Sequence, residues 1–167
     1  MIDIRPLTAD DRDWAVGVET DSWAGPSVAR LGELLDPTRL PGVVALLDGV
    51  RAGLATYAVR GADCELVTIT SLQQGRGVGR ALFDAVRDTA IAAGCTRLWL
   101  VTTNENVRAL GLYQSWGMDI VAFHRHAVTE TRRRLKPTIP ERGPLGIPIA
   151  HEFELELRLS PAPTGSR

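Results

Sequence analysis

A glycine-rich segment contains the residues whose types and spacing could do chemistry. Residues 74–80 read QGRGVGR, and glycines at alternate positions leave backbone N–H groups free to face an anion. Apolar residues 66–69 precede this segment, and after it apolar residues recur at spacings of three and four. The pattern predicts a strand, a tight turn and a helix whose N-terminus faces a bound phosphate. The segment alone leaves open that the glycines only form a tight turn.

Two familiar nucleotide-binding motifs do not fit this segment. A P-loop requires Lys and then Ser or Thr after its last glycine, but Gly79 is followed by Arg80 and Ala81. A dinucleotide fingerprint requires Gly-x-Gly-x-x-Gly and an acidic residue at the end of the next strand. The glycines here alternate, and the predicted strand at residues 98–103 has no acidic end. We therefore expect neither ATP hydrolysis nor NAD binding.

The remaining pattern is Gln-x-x-Gly-x-Gly, and it resembles the acyl-CoA pyrophosphate loop of the GCN5-related N-acetyltransferase (GNAT) superfamily. A second segment, residues 104–118, looks like a later motif of the same family. The matching positions are Gln74, Gly77 and Gly79 in the first motif, and Asn106, Ala109, Leu112, Tyr113 and Gly117 in the second. Met118 stands where the family has Phe. The motifs are separated by about the length of one right-handed βαβ crossover, and the resemblance extends over residues 1–128.

The resemblance implies a fold and a cosubstrate. The expected fold is α/β, with a mixed, mostly antiparallel central sheet, flanking helices and a splayed pair of parallel strands. Acetyl-CoA is the expected cosubstrate, its pantetheine arm lying in the gap between the splayed strands, and no metal ion is implied. The positions assigned to CoA binding are Val67, Thr68, Ile69, Gln74, Gly75, Arg76, Gly77, Val78, Gly79, Arg80, Asn106 and Tyr113. Arg76 and Arg80 could instead form a solvated helix end.

Acyl transfer from a thioester to an amine needs a base, support for the oxyanion and a proton for the leaving thiolate. By resemblance, Asn106 binds the pantetheine arm and Tyr113 protonates the sulfur. Tyr113 lies two helical turns after Asn106, and a phenol with a pKa near 10 stays protonated at neutral pH. Tyr113 could also be an ordinary core residue that packs on Trp116 and Leu110.

Neither motif identifies the base. Glu65 begins the strand before the glycine segment, where some family members place a glutamate that deprotonates the amine. It could instead be an exposed charge at the end of a strand. Histidine as a residue type has an unperturbed pKa near neutrality, so His124 or His126 could act as the base if it faced the acceptor pocket, although a lone histidine on a strand is commonly a surface residue.

Length and composition set wider limits. The chain has 167 residues, of which 44% are apolar, so we expect one domain at residues 1–160 followed by a flexible tail at 161–167. The net charge of -1 gives no bias toward nucleic acid or membranes. No leader or membrane-spanning run is visible, so the expected protein is cytoplasmic. Cys64 and Cys95 lack metal-ligand spacing and are expected to be structural.

The pattern along the chain predicts the elements that position these residues. The predicted strands are residues 2–4, 43–47, 50–59, 66–69, 98–103, 120–128 and 153–159, with a hairpin turn at Asp48-Gly49. The predicted helices are residues 8–23, 28–35 and 78–93, together with one between Asn106 and Tyr113. Residues 129–150 are expected to be an extended loop insert. This insert contains Arg132–Arg134, either a solvated run or a site for an acidic acceptor.

The sequence therefore predicts an N-acetyltransferase that moves an acetyl group from acetyl-CoA directly to a primary amine. One alternative is a non-catalytic CoA-binding or regulatory module on the same fold. Another is an acetyltransferase for protein N-termini or lysines. A pocket closed by the insert would favour a small-molecule acceptor, and an open groove would favour a peptide. The last strand and the insert could also supply a homodimer contact.

Overall fold

A seven-stranded sheet organises the chain in the computed structural model, which describes residues 1–160. The strands are β1 Ile2–Pro6, β2 Val28–Arg30, β3 Glu33–Leu35, β4 Gly42–Leu47, β5 Val50–Arg60, β6 Asp63–Ser71, β7 Arg97–Thr103, β8 Asp119–His124 and β9 Glu152–Arg158. The helices are α1 Arg12–Ser22, α2 Val78–Ala92, α3 Val107–Ser115 and α4 Ala127–Arg134. Short 3-10 turns cover Ala9–Asp11 and Pro37–Arg39.

The large sheet is mixed, as predicted. Its order is β1-β4-β5-β6-β7-β9-β8, and β2 and β3 form a separate hairpin. Every neighbouring pair in the large sheet is antiparallel except β6 and β7. The last strand, β9, inserts between β7 and β8, so it lies inside the sheet and not at its edge. The predicted hairpin through Asp48-Gly49 is confirmed as the β4–β5 connection, with both turn residues at positive φ.

The parallel pair diverges soon after it forms. β6 and β7 are paired only from Asp63 opposite Arg97 to Glu65 opposite Trp99. Beyond that point, within residues 1–160, the facing edges of the two strands are not paired with each other. On its other side β6 carries a bulge, because Thr56 pairs with Thr68 while Tyr57 pairs with Leu66. Val67 is the extra residue of that bulge and stands where the two strands separate.

Helix α2 covers one face of the sheet because its apolar residues repeat every four positions. Val78, Leu82, Val86 and Ala90 are each at most 1% exposed. Complete burial of an aliphatic side chain of this kind stabilises the fold by about 1.5–3 kcal/mol. The helix ends at Ala92, and Gly94 follows its C-cap with a φ of 80°, which favours glycine. Helix α3 packs on the same core, and a smaller apolar cluster under α1 covers the opposite face.

The predicted helix at residues 28–35 is wrong, because this segment is the β2–β3 hairpin. Val28 and Arg30 are buried while Ala29 between them is partly exposed, which is the two-residue period of a strand. The turn at Leu31 and Gly32 has φ values of 49° and 74°, so the chain reverses there. A run this short is ambiguous between helix and strand until a neighbour covers one face.

The predicted extended loop at residues 129–150 needs a similar correction. The strand predicted to reach residue 128 ends at His124, and α4 then runs into the insert. Val128 and Thr131 are buried at a helical spacing. Arg132 donates to the carbonyl groups of Ile139, Pro140 and Ile149, so the following loop is held against the helix. The remaining insert is non-helical as expected. The predicted tail at 161–167 lies outside the described residues.

Other predictions about the elements are met. The first helix ends at Ser22 with Trp23 as its C-cap, and in the 3-10 turn that precedes it the carboxylate of Asp11 accepts a hydrogen bond from the backbone N–H of Thr8. Both cysteines are buried thiols, and burial raises the pKa of Cys64 to about 12, as expected of structural cysteines. Among residues 1–160, no helix is long and apolar enough to cross a bilayer.

Candidate active site

The glycine segment forms the turn between β6 and α2. Gly75 and Gly77 have φ values of 72° and 81°, and Gly77 is the N-cap of α2. A side-chain carbon at Gly75 would meet nothing within 4 Å, and one at Gly77 would only touch Ile2 at 3.7 Å. The turn is therefore open in front of its backbone N–H groups. Its geometry suits an anion at the helix N-terminus.

Two cavities meet beside this turn. The first, which we call the turn cleft, has a volume of about 440 Å³ and is lined by the glycine turn and α3. The second, which we call the inner chamber, has a volume of about 670 Å³ and lies between the splayed strands and the insert. The residues that line both are Trp23, Ile69, Ser71, Asn106 and Tyr113. A molecule that entered both cavities would therefore pass these side chains.

Tyr113 is placed at this junction by α3. Its side chain is 9% exposed and packs edge-on against Trp116, with ring centroids 5.8 Å apart. Burial raises the pKa of Tyr113 to about 12. Among residues 1–160, no hydrogen-bond partner occupies its hydroxyl. The ring thus packs as a core residue while a neutral phenol hydroxyl is available between the two cavities.

Other residues predicted to bind CoA lie around the turn cleft. Asn106 is the N-cap of α3, and its Nδ2 is 3.4 Å from the Thr102 hydroxyl. Gln74 Oε1 accepts a hydrogen bond of 2.6 Å from Arg108 Nη1. Sequence reasoning missed Arg108, which lines the cleft. Its position just after Asn106, at the start of α3, was the available signal.

Some of the residues predicted to bind CoA have other partners or lie outside the turn cleft. Arg80 lines the cleft, but its Nε is 2.8 Å from Asp84 one helical turn later. Arg76 does not line either cavity. The hydroxyl of Thr68 donates to Glu19 of α1 at 2.7 Å, so this side chain points away from the gap. Any contact of Thr68 with a ligand would therefore have to use its backbone.

Glu65 lines the inner chamber, but it is not the exposed strand-end charge that was the alternative prediction. Its side chain is 4% exposed. Arg30 donates to both of its oxygens, from Nε at 2.5 Å and from Nη2 at 2.8 Å. Arg30 also contacts Glu33 at 2.8 Å. Glu65 could accept a proton only at the expense of this ion pair, and its role as a base stays a prediction.

Two further glutamates line the inner chamber and were missed from the sequence. Glu152 begins β9, is 1% exposed, and accepts a 2.9 Å hydrogen bond from the backbone N–H of Leu31 at Oε2. Burial raises its pKa. Glu105 lies in the β7–α3 turn, and its Oε2 is buried without a partner among residues 1–160. The sequence carries no signal for Glu152, because the place of its strand inside the sheet is set by long-range pairing.

The histidines considered as bases do not line either cavity. His124 Nε2 lies 2.6 Å from Glu154, and the backbone N–H of His126 donates to His151 at 2.8 Å. The possibility that His124 or His126 faces an acceptor pocket is therefore wrong. His124 lies on the edge strand β8, and His126 follows that strand as the N-cap of α4.

The insert covers one side of the inner chamber. Lys136, 7% exposed, donates to the carbonyl groups of Trp23 and Ser27 in the α1–β2 connection. Thr138 donates to the neighbouring Ala24 carbonyl at 3.0 Å. Asn104 at the end of β7 exchanges three hydrogen bonds with the backbone of residues 148–151. These contacts hold the insert over the chamber as a fixed roof.

The arginine run does not act as one cluster. Arg132 is bonded to backbone carbonyls, and Arg133 pairs with Glu130 at 2.8 Å. The exposed Arg134 is the remaining member. This division indicates that the run mainly secures the insert and solvates its outer face.

The comparisons with known proteins agree with this geometry. The sequence model of the Acetyltransferase (GNAT) family matches residues 8–118. YdhI, an uncharacterized protein of Bacillus subtilis strain 168, is 38% identical over 132 residues, which cover 78% of this chain and 82% of YdhI.

Two solved structures share the fold. The IAA acetyltransferase from Bacillus cereus ATCC 14579 gives a TM-score of 0.74 at 20% identity, covering 95% of this chain and 100% of that one. A GNAT family acetyltransferase from Elizabethkingia anophelis with acetyl-CoA bound gives 0.67 at 17% identity, covering 95% and 98%. The family resemblance predicted from the two motifs is confirmed. This chain belongs to the acetyltransferase (GNAT) family.

Proposed function

We propose that this protein is an N-acetyltransferase that moves an acetyl group directly from acetyl-CoA to the primary amine of a small molecule. The observation that carries the proposal is the meeting of two cavities at Tyr113. The open glycine turn borders one cavity, and carboxylates line the other. Both substrates could therefore be bound at once, on either side of one proton donor.

The residues around the turn cleft fit CoA. The N–H groups at the start of α2 suit its pyrophosphate, and Arg80 and Arg108 add positive charge beside them. The gap between β6 and β7 leaves backbone groups of Val67 and Ile69 free to pair with an amide-bearing arm, as an added strand would. The acetyl-CoA bound by the structural neighbour from Elizabethkingia anophelis supports the same cosubstrate here.

Acetyl-CoA supplies an acetyl group activated as a thioester. In the proposal, the bulge at Val67 directs a backbone N–H toward the carbonyl oxygen, where negative charge develops during transfer. Tyr113 donates its hydroxyl proton to the departing sulfur. Because its pKa is raised from 10.0 to about 12, complete loss of that proton costs about 3 kcal/mol more than for an ordinary tyrosine. Tyr113 must therefore recover a proton as the amine gives one up.

The insert that covers the chamber supports a small-molecule acceptor over a polypeptide. Its volume of about 670 Å³ is in the range of small-molecule sites, and the bonded insert forms its roof. A peptide acceptor would need an open groove leading to Tyr113. We also propose that residues 1–160 act as one acetyltransferase domain.

The test is release of free thiol from acetyl-CoA in the presence of candidate acceptors. The panel contains alkylamines, diamines, aminoglycosides, amino acids and short peptides. We expect turnover with at least one small amine, and its loss when Tyr113 is replaced by Phe. Turnover with peptides alone would favour the protein acetyltransferase alternative. Tight acetyl-CoA binding without turnover on any acceptor would favour the non-catalytic module.

A further inference from the structure

We propose that Glu152 is the general base that takes the proton from the acceptor amine. The inference rests on the proposed function and assigns a residue to the step that the sequence motifs leave open. It is carried by the position of Glu152 in the inner chamber, by its single anchoring hydrogen bond, and by the contacts that occupy the other chamber carboxylates.

The position of Glu152 follows from strand order. β9 lies between β7 and β8, where Glu152 is opposite Thr103 and His124. Directly opposite residues share a face of the sheet, and every second residue along a strand does too. Thr103 lies four residues after Trp99 on β7, so Glu152 faces the same side of the sheet as Trp99. The guanidinium of Arg30 lies over the Trp99 ring, 5.9 Å from its centroid. That side carries the β2–β3 hairpin and the inner chamber.

One oxygen of Glu152 is fixed and the other is free. Oε2 accepts the 2.9 Å hydrogen bond from Leu31 N–H, at the turn of the β2–β3 hairpin. Among residues 1–160, Oε1 has no hydrogen-bond partner, although the side chain is 1% exposed. A carboxylate held in this way keeps one oriented acceptor atom for a ligand. Unlike Oε2 of Glu19 and Oε2 of Glu105, Glu152 Oε1 is not completely buried, so a ligand in the chamber can reach it.

The other chamber carboxylates are less suited to the task. Arg30 holds both oxygens of Glu65. Glu105 lies under the insert and packs against Gly143, where an added side-chain carbon would come within 2.6 Å of its Cγ, and its Oε2 is fully buried. Asp21 is exposed at the edge of the chamber. Glu19 is buried but lines neither cavity.

The charge of the chamber agrees with an acceptor that enters as an ammonium ion. Four carboxylates line it, from Asp21, Glu65, Glu105 and Glu152, against two cations, Arg30 and Lys136. The formal balance of -2 attracts a positively charged amine and repels an acceptor that carries its own carboxylate. An ammonium ion cannot attack a carbonyl, so a base is needed in the same place.

The proposed step balances as follows. Glu152 Oε1 accepts one proton from the ammonium ion, and the nitrogen lone pair then forms the C–N bond to the acetyl carbon while the C–S bond breaks. Tyr113 gives its proton to the leaving sulfur and regains one from the nitrogen. The products are the amide, the free thiol and one proton, which Glu152 later releases to solvent. Neither oxidant nor metal takes part in this step.

The experiment compares Glu152→Gln with wild type, using the panel amine of highest turnover. Calorimetry measures acetyl-CoA affinity, which we expect to stay within about twofold, because Glu152 does not line the turn cleft. Thiol release should fall by about 100-fold near neutral pH, in the range expected for loss of a general base. The deficit should shrink as pH approaches the pKa of the free amine, since solvent then supplies the neutral nucleophile.

Two matched variants separate a base from a structural role. Glu154→Gln changes the next glutamate on the same face of β9, which pairs with His124 and lines neither cavity, and should keep wild-type turnover. Glu65→Gln tests the glutamate that the sequence predicted as the base. Glu152→Gln turnover within about threefold of wild type, or a deficit that does not change with pH, would overturn the assignment. A wild-type protein that releases no thiol with any amine would overturn the proposed function and this role together.

Discussion

Arg30 holds both carboxylate oxygens of Glu65, with Nε 2.5 Å from Oε1 and Nη2 2.8 Å from Oε2. The pair joins the β2–β3 hairpin to the last residue of β6 that is still paired with β7. Arg30 and Glu65 have side-chain exposures of 8% and 4%. The two charges therefore hold one wall of the inner chamber at the point where the strands diverge.

Breaking this pair should destabilise the protein strongly. Arg30→Leu leaves Glu65 buried and unpaired, and we expect a loss of about 3–5 kcal/mol in the free energy of unfolding, measured in urea. Arg133→Leu is the matched control, because it breaks an exposed pair with Glu130 and should cost under about 1 kcal/mol. The double variant Arg30→Leu/Glu65→Leu should recover part of the loss. If Arg30→Leu and Arg133→Leu lowered the free energy of unfolding equally, a structural role for the buried pair would be contradicted.

Tyr113→Phe should separate binding from chemistry. The variant keeps the ring that packs on Trp116 and removes only the hydroxyl. We expect turnover to fall well over tenfold, while acetyl-CoA affinity measured by calorimetry changes little. Unchanged turnover would show that Tyr113 is a core tyrosine only.

Gly77→Ala should weaken CoA binding more than it weakens the fold. Gly94→Ala is the matched control. The φ of Gly94, 80°, is close to the 81° of Gly77, and a side-chain carbon at Gly94 would meet nothing within 4 Å. Both substitutions should cost about 1 kcal/mol of stability from backbone strain. A loss of CoA affinity in Gly77→Ala alone would locate the phosphate at the turn. Equal affinity in the two variants would remove that assignment.

Glu152 should also affect the pH dependence of stability. Burial raises its folded-state pKa above the ordinary 4.5, so the folded chain binds this proton more tightly than the unfolded chain does. Wild type therefore loses stability as pH rises from 4.5 through the folded pKa, whereas Glu152→Gln has no such proton to lose. In thermal unfolding, the Tm of Glu152→Gln should therefore rise relative to the Tm of wild type as pH increases through that window. A difference in Tm between the two proteins that stays constant with pH would contradict this prediction.

The negative chamber should discriminate among acceptors of equal length. We expect 1-aminobutane and 1,4-diaminobutane to be acetylated with kcat/KM at least about tenfold above that of 4-aminobutanoate, because the added carboxylate meets Glu105 and Glu152. Thiol release at constant ionic strength measures the ratio. The preference should weaken at high salt if it arises from charge. Better turnover with 4-aminobutanoate would show that Lys136 or Arg30 governs acceptor binding instead.

The sequence by itself determined the fold class and the glycine turn. The alternation of Gly75, Gly77 and Gly79 between an apolar strand and an amphipathic helix is local information, since positive φ and helical periodicity depend on near neighbours. The same holds for the β4–β5 hairpin, whose Asp48-Gly49 turn is specified by two residues. The later motif around Asn106 and Tyr113 placed both residues on one short helix, as the structure has them.

Only the tertiary structure decided the chemistry of the inner chamber. Residues 28–35 became a hairpin because the sheet and Glu152 cover one of its faces, and no local pattern records that contact. The strand predicted at residues 153–159 begins at Glu152, and the insertion of β9 between β7 and β8 buried Glu152 beside the splayed strands. Glu65 changed from a possible free base to half of an ion pair because Arg30, 35 residues earlier, folds onto it. Long-range contacts set desolvation and pairing, and these decide which carboxylate can accept a proton.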